Sequence, residues 1–153
     1  MPNIDARLTE LGITLPQPVS PIATYVPFVR TGNVVHISGQ VSVDANGGVT
    51  GVVGEAVDMA EAQRAAQICG LNLIAQMKAA CDGDLGRVRR IVKLGGFVQA
   101  GPDFFDSPQV INGCSDLMVA VFGDRGRHAR AAVGVYRLPR NFAVEVDAVV
   151  EVA

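Results

Sequence analysis

Two stretches of the chain have apolar residues at helical spacing and predict the main helices. Between residues 58 and 80, small apolar residues form a broad stripe, and Asp58-Met59-Ala60-Glu61 has the form of a capping box at the start. Further along, Ser107-Pro108 predicts an N-cap followed by proline at the first helical position. This second helix is expected to run from residue 108 to residue 122 and to end at the glycine that follows.

Alternation of apolar and polar positions predicts the strands. A hairpin is predicted around Thr31-Gly32-Asn33, and the closing run of the chain holds two more strands joined by Leu138-Pro139-Arg140-Asn141. The order is strand, strand, helix, strand, helix, strand, strand. It predicts an α+β domain of the split βαβ kind, with both main helices on one face of a single sheet. The strand ranges are 25–30, 33–40, 87–100 and the two halves of 128–152.

The second face of this predicted sheet has no helix to cover it. The strands nevertheless carry valines on both sides. Apolar surface of this kind is usually buried in a subunit interface. We therefore expect a homo-oligomer.

The residues before the first strand predict a short helix and an irregular arm. Residues 4–11 have apolar side chains at helical spacing, and Gly12 can end the helix. Prolines are frequent between residues 15 and 21 and disfavour regular structure there. We interpret residues 1–20 as the packed N-terminal helix and arm of one domain that spans residues 1–153.

Composition narrows the class of protein. The chain has 153 residues, 49% of them hydrophobic but only 5% aromatic, so small aliphatic side chains make it apolar. A net charge of −2 gives no electrostatic footprint for nucleic acid or for an anionic membrane. No apolar run approaches the ~20 residues that cross a bilayer, and the N-terminus lacks a signal-peptide pattern. The 3 cysteines show no CxxC spacing, which favours a reduced cytoplasmic protein without disulfides or zinc.

The closing run carries the clearest candidate chemistry. Arg130 opens its first strand, and side-chain parity puts Glu145 and Asp147 on one face of the second. An arginine and a carboxylate on neighbouring strands form a small constellation that can bind a charged molecule and handle a proton. The residues alone leave an alternative open, in which the carboxylates simply form a solvated strand face.

Two features elsewhere have less specific interpretations. Ser38-Gly39 at a strand end invites close approach by a ligand or by another backbone, and a glycine bulge beside a hydrogen-bonded serine is an equal alternative. His36 is typical of a packed strand residue, because no second histidine or cysteine lies at metal-binding spacing. His128 is also interpreted as structural.

Separated segments of the chain share one pattern from about residue 20 to the C-terminus: Tyr25, Ser38-Gly39-Gln40, Asn112, His128-Ala129-Arg130, Leu138-Pro139 and Glu145-Val146-Asp147-Ala148. Together these segments resemble the RidA/YjgF family. The resemblance implies a chorismate-mutase-like α+β fold and homotrimers whose sites lie in clefts between subunits. It also implies hydrolysis of reactive enamines and imines, such as 2-aminoacrylate, to 2-keto acids and ammonia without a metal or organic cofactor.

The resemblance also implies roles for individual residues. Arg130 would hold the substrate carboxylate with two parallel hydrogen bonds, a geometry that lysine cannot copy. Glu145 would orient and partly deprotonate the attacking water. Asp147 is expected to be a neighbour of Glu145 rather than a reacting group.

The remaining matches line the implied site. Tyr25, Ser38 and Asn112 would fix the substrate or a water through hydroxyl and amide groups, and Gly39 would give access to the backbone. Many family members carry a cysteine two residues after the arginine, whereas this chain has Ala132. That departure concerns the substrate-binding wall beside Arg130.

Two other functions remain open at this point. One is a non-catalytic sensor that binds small carboxylates in the same cleft. Ala132 favours this alternative, because it lacks the thiol that many family members have at this position. The other is the endoribonuclease activity attached to some family names. The acidic pI of about 5.6, the scarcity of aromatics and the lack of a paired-histidine site argue against RNA as a partner.

Overall fold

A computed structural model of the protein describes residues 3–21 and 23–153. The helices and strands alternate in the predicted order, with short 3₁₀ turns at 85–87, 123–126 and 139–141. In chain order they are α1 (Ile4–Glu10), β1 (Phe28–Thr31), β2 (Val34–Val41), α2 (Met59–Ala80), β3 (Val88–Gln99), α3 (Ser107–Phe122), β4 (Ala129–Val135) and β5 (Val144–Val152).

The strands form one mixed sheet in the order β1-β2-β5-β3-β4. Only β3 and β4 are parallel, and β5 lies antiparallel between β2 and β3. The last strand of the chain therefore occupies the centre of the sheet and splits the β2-α2-β3 unit. This confirms the predicted split βαβ arrangement. It corrects one expectation, because β4 and β5 are consecutive in the chain but are not neighbours in the sheet.

Both main helices cover the same face of the sheet, as predicted. On β5, Val144, Val146 and Val150 are buried beneath them, while the residues in between are only half-buried. Alternation with a period of two produces this division. Among the residues that the structure describes, no helix covers the other face of the sheet, and Val29, Val92 and Val133 there are exposed. We call it the open face.

Small residues let α2 and α3 approach each other closely. A Cβ atom on Gly113 of α3 would overlap the backbone carbonyl oxygen of Gln63 in α2, and one on Gly70 would lie 2.8 Å from Leu117 Cδ2. Cys69, Cys81 and Cys114 are buried and not disulfide-bonded. The thiols therefore serve as small apolar side chains.

Most element boundaries agree with the prediction to within one residue, and those of α3 and β1 differ in ways that concern the site. The Asp58 carboxylate accepts from Glu61 N at 2.9 Å, which confirms the cap of α2. At α3, by contrast, the helix begins at Ser107 itself and the capping position belongs to Asp106, whose side chain makes no capping hydrogen bond. Strand β1 begins at Phe28, so Tyr25 lies in a bend before the strand and not within it.

None of the helices in the described ranges has both the length and the apolarity needed to cross a membrane.

Candidate functional site

The predicted site residues form two separate groups in one chain. The first, which we call the glutamate pocket, contains Tyr25, Ser38, Gly39 and Glu145. The second, which we call the arginine cluster, consists of Arg130 and the α3 residues that bind it. Each group is built by different elements, so each is described separately.

A β-bulge shapes the floor of the glutamate pocket. Ile37 pairs with Ala148 and Gln40 with Val146, so Ser38 and Gly39 together oppose the single residue Asp147. The Ser38 backbone N–H donates to Pro27 O at 2.9 Å, and its hydroxyl donates to Val26 O at 2.8 Å. The alternative of a glycine bulge beside a hydrogen-bonded serine is therefore what the isolated chain adopts, and it ties the bulge to the segment that carries Tyr25.

The Glu145 side chain lies directly on Gly39. A Cβ atom at position 39 would stand 2.6 Å from Glu145 Oε2, so only glycine leaves room for this placement of the carboxylate. Burial, and after it the charge of Asp147, raises the pKa of Glu145 above its ordinary value. Asp147 also has a raised pKa, mainly through burial, opposed by a hydrogen bond from the Gly95 backbone and by Lys93. At a given pH, Glu145 is therefore protonated more often than an exposed glutamate.

The rest of the pocket is an apolar cavity of about 410 Å³. The end of the N-terminal arm and the residues that follow it form one wall with Val19, Pro21 and Ala23, and Val43 and Phe142 lie on the other side. Cavities of this size accept small organic molecules and derive binding energy from apolar contact. A half-buried carboxylate at the edge of such a cavity can act on a polar group whose substituent is apolar.

Buried amides of α2 hold this wall in place. Gln76 Nε2 donates to Val19 O at 2.9 Å and fixes the arm. Asn72 Nδ2 donates to Val41 O at 3.2 Å and to Val43 O at 2.9 Å. Sequence reasoning identified a packed arm but did not assign it to the site, because no motif marks which pocket an irregular segment will line.

Arg140 also lines the pocket, although the sequence analysis does not identify it as a candidate site residue. It lies in the connection between β4 and β5, with a backbone φ of 55° in the left-handed region that non-glycine residues seldom adopt. Its neighbour Asn141, at φ 65°, accepts a hydrogen bond from Gln99 Nε2 at 2.8 Å. The connection is therefore a fixed wall of the pocket rather than a loose turn.

The arginine cluster holds its guanidinium at three points. Arg130 Nη1 donates to Asn112 Oδ1 at 2.8 Å and to Ser115 Oγ at 3.1 Å, and Nη2 donates to Pro108 O at 3.2 Å. Of the five N–H groups of the guanidinium, Nε–H and one N–H of Nη2 donate to no residue within 3–21 and 23–153. The restrained arginine thus retains donors for an external acceptor.

Ala132 follows on the same face of β4 and pairs with Gly96 of β3. Its methyl group packs against the core, and Cys114 of α3 belongs to the same core and is fully buried. Burial raises the pKa of Cys114 to about 12, opposed by the charge of Arg130. A thiol with that pKa is protonated near neutral pH, so Cys114 is a packing residue. It does not take the place of the cysteine that the family resemblance leads one to expect at position 132.

The two groups lie on opposite faces of the sheet. Arg130 pairs with Leu94, which is fully buried under the helices, whereas Glu145 pairs with Phe97. Leu94 and Phe97 are an odd number of positions apart on a strand without a register shift between them, so their side chains point to opposite faces. The prediction that Arg130 and Glu145 lie on neighbouring strands is therefore wrong, because β3 separates their strands and the two side chains do not meet within one chain.

No group of three or more His, Cys, Asp and Glu side chains is placed to hold a metal ion within residues 3–21 and 23–153.

Comparison with known proteins places these features in context. A family model described as YjgF/chorismate mutase-like matches residues 5–151. Protein TCP17 of Trypanosoma cruzi is 48% identical over 97% of this chain and 94% of its own. The 2-iminobutanoate/2-iminopropanoate deaminase of Dermatophagoides farinae is 30% identical over 90% and 93%. The crystal structure of Atu1372 from Agrobacterium tumefaciens, a protein of unknown function, superposes with a TM-score of 0.92 at 51% identity, over 98% of this chain and 92% of that one.

Proposed function

The chain belongs to the YjgF/chorismate mutase-like family, and we propose that it hydrolyses reactive 2-imino acids and their enamine tautomers to 2-keto acids and ammonia. The observation that supports this most directly is the pairing of two kinds of group. One is an arginine with unengaged donors, and the other is a half-buried carboxylate of raised pKa beside an apolar cavity. A 2-imino acid presents a carboxylate for the arginine, an electrophilic carbon for a water held by the glutamate, and a side chain for the apolar cavity.

Arg130 binds the substrate carboxylate in this proposal. Its Nε–H and remaining Nη2–H can donate in parallel to two carboxylate oxygens. Asn112 and Pro108 hold the opposite side of the guanidinium, so little side-chain entropy is lost on binding. Ala132 forms the neighbouring wall.

Glu145 acts on the water. Its ionised carboxylate accepts a proton as the water oxygen bonds to the imine carbon, and it passes that proton to the imine nitrogen, whose C=N π pair becomes the new N–H bond of a carbinolamine. Glu145 then takes the hydroxyl proton as the keto C=O forms and delivers it to the amino group as the C–N bond breaks, so that ammonia leaves and Glu145 is again ionised. A carboxylate with a raised pKa is a stronger base than an exposed one, which suits this step. Ser38, Gly39 and Tyr25 line the pocket where the water and imine meet.

The opposite placement of the two groups supports a site shared between copies of the chain. A single small molecule cannot contact Arg130 on the helix face and Glu145 on the open face of one sheet. The open face also presents Val29, Val92 and Val133, which association would cover. We infer a homotrimer in which Arg130 of one subunit faces the glutamate pocket of the next.

A panel of imino acids, freshly generated by an amino-acid oxidase with catalase present, tests the function. We expect the protein to accelerate keto-acid release. We expect kcat/KM about 50-fold higher for the leucine-derived imine than for 2-iminopropanoate, since its side chain has three more carbons and each buried methylene contributes about 0.8 kcal/mol. Ala23→Leu, which narrows the cavity, should lower kcat/KM more for the larger substrate than for the smaller one.

The panel has two informative negative results. No acceleration over buffer for any member rejects the deaminase function. Equal kcat/KM values for small and large side chains would leave that function standing and overturn the assignment of the apolar cavity to the substrate side chain.

Asp147→Asn tests the role of Glu145 through pH. The charge of Asp147 is the second cause that raises the Glu145 pKa, so its removal lowers that pKa. Because the base must be ionised, kcat/KM rises as pH rises through the Glu145 pKa, and the acid limb of the profile should move to lower pH. Burial remains, so the limb stays above the range of an exposed glutamate. Glu151→Gln removes a carboxylate further along the same strand face and is the matched control. An unmoved limb in Asp147→Asn contradicts the assignment of Glu145 as the base.

A second candidate, a sensor that binds small carboxylates without turnover, is favoured by one observation. Ala132 offers only a core-packed methyl group beside the arginine, where many relatives carry a thiol. Calorimetry that detects keto-acid binding by a protein inactive on the whole panel would support the sensor over the deaminase.

A further inference from the structure

We propose that Ser115 and His128 are positioning residues that hold the Arg130 guanidinium through a one-directional chain of hydrogen bonds. This proposal deepens the proposed function, on which the role of Arg130 as carboxylate anchor rests. Neither residue touches the open donors of Arg130. They act on the side of the guanidinium that faces away from the substrate.

The hydrogen bonds determine which way the chain runs. His128 Nδ1 lies 2.6 Å from Gly126 O, and a carbonyl oxygen can only accept, so Nδ1 carries a hydrogen. In neutral His128, Nε2 is then an acceptor and receives the Ser115 hydroxyl hydrogen over 2.8 Å. With its hydrogen committed, the Ser115 oxygen accepts from Arg130 Nη1 at 3.1 Å. Each hydrogen and each acceptor in this series of hydrogen bonds is therefore used once, and all of the bonds run in one direction.

The far end of the chain is anchored to α3. A Cβ atom on Gly126 would overlap the backbone carbonyl of Met118, so the turn that presents the Gly126 carbonyl packs directly on the helix. Ser115 belongs to the same helix, as does Asn112, which accepts the other Nη1 hydrogen. The guanidinium orientation is therefore fixed by one rigid element, although Arg130 itself lies on the edge strand β4.

This arrangement answers a problem that the edge position creates. An arginine on an edge strand has several rotamers, and a bidentate contact needs only one of them. Two acceptors on Nη1 fix the plane of the guanidinium and direct Nε–H and the free Nη2–H away from α3. A direction set by a serine hydroxyl alone would be undefined, because that hydroxyl can rotate. The His128 acceptor removes this freedom.

Kinetics with a double-mutant cycle test the proposal. Ser115→Ala should raise KM for the imino acid about tenfold with kcat changed less than about threefold, because one hydrogen bond to a charged group is lost. Ser115→Thr retains the hydroxyl and should restore KM to within about twofold of the wild type. His128→Ala should raise KM alone but have no further effect in the Ser115→Ala background, since its influence passes through the hydroxyl. Asp116→Ala, an exposed neighbour on α3, is the control.

A spectroscopic readout keeps this test separate from the proposed function. In the wild type, side-chain ¹⁵N spectra should resolve the Nη1 and Nη2 groups of Arg130, because three acceptors slow rotation about the Cζ–Nη bonds. In Ser115→Ala and in His128→Ala they should average. A wild type that is inactive on every imino acid but shows this difference would refute the deaminase and keep the positioning chain. Resolved signals in both variants, or additive KM effects, would overturn the chain and return His128 to a purely structural role.

Discussion

Arg130→Lys is expected to lower kcat/KM for imino-acid hydrolysis about 100-fold or more, since it exchanges a planar pair of donors for a single ammonium group. Hydrogen bonds between charged partners contribute about 1.5–3 kcal/mol each, and lysine cannot make both at once. It also cannot engage Asn112, Ser115 and Pro108 while reaching a substrate. The loss should appear mainly in KM, because Arg130 binds the carboxylate in both the ground and transition states.

The control for this substitution is Arg137→Lys. Arg137 is an exposed arginine of the same segment, with its guanidinium over the Tyr136 ring at 4.3 Å and outside both groups of site residues. It should leave the kinetics within about twofold of the wild type, as surface substitutions usually do. An Arg130→Lys protein with unchanged sedimentation and a loss below threefold would show that the carboxylate is bound elsewhere, and Arg140 in the glutamate pocket would be the next residue to test.

Mixed assemblies of Arg130→Ala and Glu145→Gln subunits are expected to regain activity that neither variant has alone. If each site takes its arginine from one copy and its glutamate from the next, about a third of the sites in every mixed trimer have both intact groups. Co-expression with different affinity tags, followed by sequential purification, isolates the mixed assemblies for the keto-acid assay. The gain is large because the starting activity of each parent is close to the uncatalysed rate.

The double variant Arg130→Ala/Glu145→Gln is the matched control for mixing. Combined with either single variant it cannot form an intact site, so its mixtures should stay inactive. Purified mixed assemblies that show no gain would refute the shared site. A concentration-independent monomer in sedimentation would refute it as well and would leave the arginine and the glutamate without a common substrate.

The sequence predicted the elements well because the local signals are strong. The Asp58 cap fixes the start of α2, and the alternation along β5 correctly separated Glu145 and Asp147 from the buried valines. The broad stripe of small apolar residues likewise identified α2 as a helix. These features depend on neighbours within a few residues, which the sequence displays directly.

Features that depend on long-range pairing were not predictable in the same way. The closing run appears in sequence as one hairpin, but β3 lies between its two strands. This insertion, with the parity of β3, places Arg130 and Glu145 on opposite faces. The contact between Ser115 and His128 likewise depends on where the turn at 123–126 returns the chain along α3. No local pattern encodes that path, although Ser115 lies at helical spacing from Asn112.

The wall formed by the N-terminal arm has a consequence for how this protein and its relatives diverge. Arg130, Glu145 and the bulge at Ser38-Gly39 belong to the sheet, where a change of register would displace many buried side chains at once. The arm is joined to α2 by the Gln76 hydrogen bond and otherwise lies outside the ladder of strands. If the proposed site is correct, new side-chain selectivity can therefore arise by changes in the arm alone, while Arg130 and Glu145 stay unaltered. Exchanging arms between relatives would transfer substrate preference as a unit.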